Sequence, residues 1–108
     1  MTNTASASPA ATDQPKFYTE LKAIPSIMFD KNEIVIPAGQ EITLRFVNQD
    51  LGIEHNFSVY KSEVDDAIVS ITYCRADCVR FVTLNLDPGE YRFQCDIHPS
   101  MFGRLTAT

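Results

Sequence analysis

At 108 residues, 44% hydrophobic and 21% charged, the chain has the size and balance of one globular domain; two cores, wholesale disorder and a membrane-embedded fold are all disfavoured. No apolar run approaches the ~18 residues of a spanning helix. A net charge of −5 argues against a nucleic-acid partner, which needs clustered Lys and Arg, and weakly favours a cationic protein partner.

The first stretch, MTNTASASPAATDQP, is rich in Ala, Ser, Thr and Pro and lacks the basic start and apolar middle of a secretion signal. Residues 1–15 read as a flexible tether and residues 16–108 as the folded domain. A tether with no domain before it suggests an anchor upstream of Met1, through a signal, a lipid or a transmembrane segment. A disordered tail on a complete cytosolic protein is the alternative.

From Lys16 onward, short β-branched or alternating runs recur between turn residues, which predicts an all-β Greek-key sandwich or barrel of about eight strands. The first, Phe17 to Ala23, is broken or bent by Pro25. Glu33 to Ile36 follows, then a turn at Ile36 to Gln40, then Glu41 to Asn48. In that third strand Ile42, Leu44 and Phe46 share one face, as a strand lying over a core requires.

The fourth strand, Asn56 to Tyr60, is entered through His55, with His55, Phe57 and Val59 on one face. Ala67 to Thr72 is the least regular run, and Val64 to Ile71 is also compatible with a helical turn. Val79 to Leu86 alternates Val82, Leu84 and Leu86 against Thr83 and Asn85. Asp87, Pro88, Gly89 and Glu90 then form a turn, so the strands on either side should be antiparallel. Tyr91 to Gln94 and Arg104 to Ala107 complete the set.

Tyr91, Phe93 and Cys95 share a strand face, and Cys95 leaves that strand into CDIHPSM, where His98 and Met101 follow at equal intervals. One thiolate, two imidazoles and a weak thioether suit copper cycling between Cu(I) and Cu(II). The second imidazole must be His55, the other histidine of the chain. If its strand and the Cys95 strand are antiparallel neighbours, one exits where the other enters, and His55 meets Cys95 at the same end. His98 and Met101 then come from the loop closing over it. Zinc is the competing ion, but a structural zinc site has no use for a thioether, so Met101 discriminates.

EHNFSVY and YRFQCDIHPSMFGRLTAT resemble the cupredoxins, the small blue-copper proteins, over nearly all of Phe17 to Thr108. The C-x2-H-x2-M loop, with Pro99 after the histidine, looks most like that of the amicyanins. The resemblance implies one copper ion held by His55, Cys95 and His98 in the equatorial plane, with Met101 axial. It also implies that Asn56 ties the two ligand-bearing segments together. Asp96 stands where several members carry a small neutral or hydroxyl residue, so the hydrogen bonds around the thiolate are not carried over.

Three cysteines make one pair and one thiol left over. The turn at Asp87 to Glu90 must lie opposite the metal, so the strand from Val79 starts at the metal end and brings Cys74 and Cys78 there. They read either as a disulfide clamping a tight connection or as a thiol pair that receives Cu(I) or exchanges electrons. The C-x3-C of a dinuclear copper site is rejected, because Cys78 is followed by a strand and not by His and Met.

The function expected is therefore a monomeric electron carrier, not an enzyme, working in the periplasm or outside the cell and docking weakly on redox proteins. Leu51, Ile53, Ile97, Pro99 and Phe102 flank the ligands and would form an apolar docking patch around an exposed His98 edge. Glu54, Glu63, Asp65, Asp66 and Asp77 could steer a basic partner. Two rival readings are a copper carrier or chaperone with the same ligands and the copper domain of a larger anchored protein.

Overall fold

The computed structural model describes residues 18–62 and 65–108. The tether at 1–15, the start of the first expected strand at Phe17, Glu63 and Val64 lie outside the described residues. Among those described there is no helix, and so none long and apolar enough to cross a membrane.

Among the described residues nine strands form, where eight were expected: β1 (Thr19–Ile24), β2 (Met28–Phe29), β3 (Glu33–Ile36), β4 (Ile42–Asn48), β5 (Ser58–Tyr60), β6 (Val69–Ser70), β7 (Cys78–Leu84), β8 (Gly89–Cys95) and β9 (His98–Ala107). They make a four-stranded sheet in the order β2-β1-β4-β7 and a five-stranded sheet in the order β3-β9-β8-β5-β6. The extra strand, β2, returns from the break at Pro25 and pairs with the end of β1. Ser26 and Ile27 in that turn take positive φ of 81° and 58°, a strained state for non-glycine residues and most of all for a β-branched one. The irregular run at Ala67 to Thr72 shrinks to the two residues of β6, and no helical turn forms there.

The inward faces are those the alternation dictates. Ile42, Leu44 and Phe46 of β4, Val82, Leu84 and Leu86 on and just beyond β7, and Tyr91, Phe93 and Cys95 of β8 are all buried in one core. Phe93 lies at its centre, edge-on to Phe29 at 5.3 Å and tilted against Phe57 at 5.9 Å. Gly103 of β9 sits over this ring so closely that a Cβ would come within 2.4 Å of Phe93 and 2.7 Å of the Asn32 carbonyl oxygen.

Two connections decide where the site lies. β7 and β8 run in opposite senses but belong to different sheets, so the turn at Asp87 to Glu90 crosses between the layers, and the Tyr91 hydroxyl donates to the Asp87 carbonyl to close it (2.7 Å). β5 pairs antiparallel with β8, setting Ser58 opposite Gln94 and Tyr60 opposite Arg92. The entry of β5 and the exit of β8 therefore share one end of the sandwich.

The segment expected to be an open loop is instead the start of β9. Cys95 faces His98 across a turn of two residues, Asp96 and Ile97. The next pair is Gln94 with Phe102, leaving Pro99, Ser100 and Met101 as a bulge. A bulge tolerates proline, whose missing N–H would be a defect in a continuous ladder.

Candidate metal centre

Each expected ligand arrives by a different local device. Cys95 ends the inward face of β8 and is fully buried, and it is the free cysteine of the described chain. His98 faces it across the turn and is half-buried. Met101 is buried in the bulge, and His55 is buried just before β5. His55 is placed by a two-bond antiparallel bridge to Cys74: its N–H donates to the Cys74 carbonyl at 3.1 Å, and the Cys74 N–H donates back at 3.0 Å.

Three donor atoms converge. Cys95 Sγ lies 3.7 Å from His55 Nδ1 and 3.4 Å from His98 Nδ1, and the two Nδ1 atoms are 3.1 Å apart. An ion roughly 2.0–2.3 Å from each donor holds its donors about 3.3–3.6 Å apart, so the triangle is of the size one ion needs. The donor set fits copper, because it joins one thiolate to two imidazoles and offers a buried thioether nearby.

Around the triangle two carboxylates hold the ligand-bearing segments. Asp50, buried, accepts from His55 Nε2 at 2.8 Å. Asp96, next to Cys95, accepts from Asn56 Nδ2 (2.9 Å), Ser58 Oγ (2.6 Å), Tyr60 Oη (2.6 Å) and Gln94 Nε2 (3.1 Å), and its own N–H donates to Asn56 Oδ1 (2.8 Å). Asn56, Ser58 and Tyr60 alternate with His55, Phe57 and Val59. One face of this segment thus serves the core and the metal end, and the other serves Asp96.

Burial opposes ionisation of Asp96, but the hydrogen bonds from Asn56, Ser58, Tyr60 and Gln94 together outweigh it and hold the carboxyl below the usual carboxylate range. The Asp96 hydrogen bond, with burial, raises the Tyr60 hydroxyl. Burial, then the neighbouring His55 ring, lowers the His98 imidazole against an upward pull from Asp50.

Cys74 and Cys78 form a disulfide with Cα atoms 6.1 Å apart. It joins the bridge partner of His55 to the first residue of β7, at the metal end. Of the expected docking residues, Leu51, Ile97, Pro99 and Phe102 are exposed and Ile53 is half-buried. Glu54, Asp65, Asp66 and Asp77 are exposed, and Glu54 pairs with Arg75 at 3.8 Å.

Sequence reasoning missed two features here. Asp50 stands in NQDLG, a composition that reads only as a turn. The β1–β2 turn also brings exposed Ile27 and Met28 beside Phe102, around a cavity of about 170 Å³ that Met101 helps to line.

Comparison with known families and structures follows the same outline. The family described as "cupredoxin-like domain" matches residues 1–107. Among solved structures, reduced auracyanin from the photosynthetic bacterium Roseiflexus castenholzii superposes with a TM-score of 0.76 at 20% identity, over 88% of this chain and 99% of that one. Auracyanin A, described as a "blue" copper protein from Chloroflexus aurantiacus, gives 0.75 at 22% identity over 83% and 98%. Rusticyanin from Thiobacillus ferrooxidans gives 0.69 at 18% over 83% and 77%. These likenesses are likenesses of fold. The curated proteins contain no match to the chain.

Proposed function

The chain belongs to the cupredoxin-like domain family, and from that premise we propose that it is a mononuclear blue-copper electron carrier, not an enzyme, passing single electrons between redox partners outside the cytoplasm. The observation that carries the reading is the convergence of His55, Cys95 and His98, whose donor atoms all lie within 4.8 Å of one another. Met101, buried in the bulge after His98, would be the thioether ligand in this reading, and the C-x2-H-x2-M spacing supports a ligand loop of the amicyanin kind.

Copper bound there supplies a one-electron couple between Cu(I) and Cu(II). The protein's part is to keep the donors in place so that little rearranges when the electron arrives or leaves. Cys95 and His55 are fixed from the core side by β8 and by the Cys74 bridge. His98 is half-buried and Leu51, Ile97, Pro99 and Phe102 are exposed, so in this reading the His98 ring edge would be the route for the electron within an apolar patch. An apolar surface of this kind suits brief docking of a monomer on larger partners.

Exposed carboxylates at Glu54, Asp65, Asp66 and Asp77 would steer a basic partner, although Arg92, stacked 4.1 Å over Phe102, sets positive charge beside the same patch. The Cys74–Cys78 disulfide supports an oxidising compartment, periplasmic or extracellular. It also removes the thiol pair that would have favoured a copper carrier.

Voltammetry of the copper-loaded protein tests the function. A fast, reversible one-electron wave is expected, and Met101→Gln should keep the copper but shift the wave. Copper that enters and leaves only as Cu(I), with no reversible wave, would make the protein a copper carrier instead.

A further inference from the structure

We infer that Asp50 is the residue that positions His55 as a ligand, by fixing which ring nitrogen carries the proton and by placing a negative charge beside the centre. The inference rests on the metal reading above but makes a claim about the metal-free protein as well.

A carboxylate only accepts hydrogen bonds, so the 2.8 Å contact between Asp50 Oδ2 and His55 Nε2 requires the proton on Nε2. In the neutral ring this leaves the lone pair on Nδ1, the nitrogen 3.7 Å from Cys95 Sγ and 3.1 Å from His98 Nδ1. Without such a partner on Nε2, the proton is free to move to Nδ1 and block the ligand position.

Asp50 is itself held from three sides. Its N–H donates to Asn48 Oδ1 at 2.9 Å, and the Ile27 N–H donates to the same Oδ2 at 3.3 Å. Its backbone oxygen accepts from the Ile53 N–H at 3.1 Å. Asn48 Nδ2 in turn donates to the carbonyls of Ile53 (2.9 Å) and Cys74 (2.7 Å), the second being the His55 bridge partner. Asn48, Asp50 and His55 are all buried. The ligand, its carboxylate and its backbone neighbour thus form one closed web, tied through Ile27 to the strained β1–β2 turn.

Orientation alone does not need a charge, since a neutral carbonyl would also accept from Nε2. A carboxylate adds negative charge next to the ligand, raises the donor strength of the ring and favours the more positive metal state, which lowers the reduction potential. Two substitutions separate these effects. Asp50→Asn keeps an acceptor oxygen and loses the charge; Asp50→Ala loses both.

Long-range proton–nitrogen NMR of the metal-free protein, at a pH where the ring is neutral, reads the tautomer directly. His55 should be protonated on Nε2 in the wild type and in Asp50→Asn, and redistribute towards Nδ1–H in Asp50→Ala. In the copper-loaded proteins, Asp50→Asn should raise the potential with the visible spectrum unchanged. Asp50→Ala should also bind copper about 10–100-fold more weakly. Wild-type His55 protonated on Nδ1, or an Asp50→Asn potential equal to that of the wild type, overturns the inference. A wild type that takes up no copper while His55 keeps its Nε2 proton sinks the electron-carrier reading and leaves the positioning role standing.

Discussion

His55 and His98 offer the same atom to one centre, yet they are held in opposite ways. His55 is fully buried, with its ring on Asp50, its backbone on Cys74 and its segment on Asp96 through Asn56. All of these partners except Asp50 and Asn56 are distant in sequence. His98 sits half-exposed after a two-residue turn, and its position follows from the local register of Cys95 and the bulge. One half of the centre is an anchored wall and the other a hairpin edge. An electron carrier needs both, a fixed geometry behind the metal and a reachable ring in front.

The largest expected effect breaks the comparison at the two rings themselves. His55→Ala leaves the buried Asp50 Oδ2 with only the long Ile27 N–H bond (3.3 Å) and should cost the metal-free protein about 3–5 kcal/mol, whereas His98→Ala at the exposed edge should stay within about 1 kcal/mol. Chemical denaturation of the two variants checks this, and equal losses would erase the distinction between wall and edge.

Next comes the seat of the hairpin. Gly103→Ala drives a methyl into Phe93 and the Asn32 carbonyl, and overpacking of this kind costs about 1–3 kcal/mol. Because Phe93 shares the inward face of β8 with Cys95, the same variant should also broaden the visible band of the loaded protein. A normal melting temperature would show that β9 can shift away from the ring.

The disulfide belongs to the wall. Replacing Cys74 and Cys78 together by serine should lose about 2 kcal/mol by the loop-closure estimate. It should also speed amide exchange at His55 and at the serine of position 74 while leaving His98 unchanged. Exchange that rises equally at both histidines would mean that the clamp is not specific to one side.

The smallest effect is a pH dependence. The Asp96 carboxyl is held below its ordinary range, so the folded state favours its ionised form. The resulting stability is complete above the unfolded carboxylate value of about 3.9 and is lost as the pH falls through the lower folded value. Asp96→Asn should flatten this acid limb of the stability curve and leave the pH dependence above pH ~6 unchanged. An unchanged acid limb would assign the acid sensitivity to other carboxyls.

The same contrast explains what could be read before the structure. Cys95, His98 and Met101 are legible because a hairpin edge is local, and its ligands keep a fixed spacing along the chain. His55 needed a second step, the direction of two strands, and the β5–β8 pairing places it at the shared end. Asp50 was not legible, since its role comes from a side chain reaching a ring and a strained turn rather than from any periodicity. The alternation of Asn56, Ser58 and Tyr60 was visible, but nothing in it pointed to Asp96 as the common acceptor.

Among the strands, the apolar alternation of β4, β7 and β8 placed the core correctly. β2 escaped notice because two residues carry no period. The start of β9 escaped because Pro99 and Ser100 have loop composition, and a bulge admits them into a strand.

In this reading the anchored wall and the hairpin edge meet in a single copper centre through Cys95. Titration of the metal-free protein with Cu(II), followed by visible absorption and electron paramagnetic resonance, tests it most directly. An intense blue band that saturates at one copper per chain is expected, with the narrow copper hyperfine splitting of a thiolate-bound centre, and Cys95→Ser should lose it completely. A colourless protein that instead binds one zinc per chain, or a blue band that survives Cys95→Ser, would contradict it.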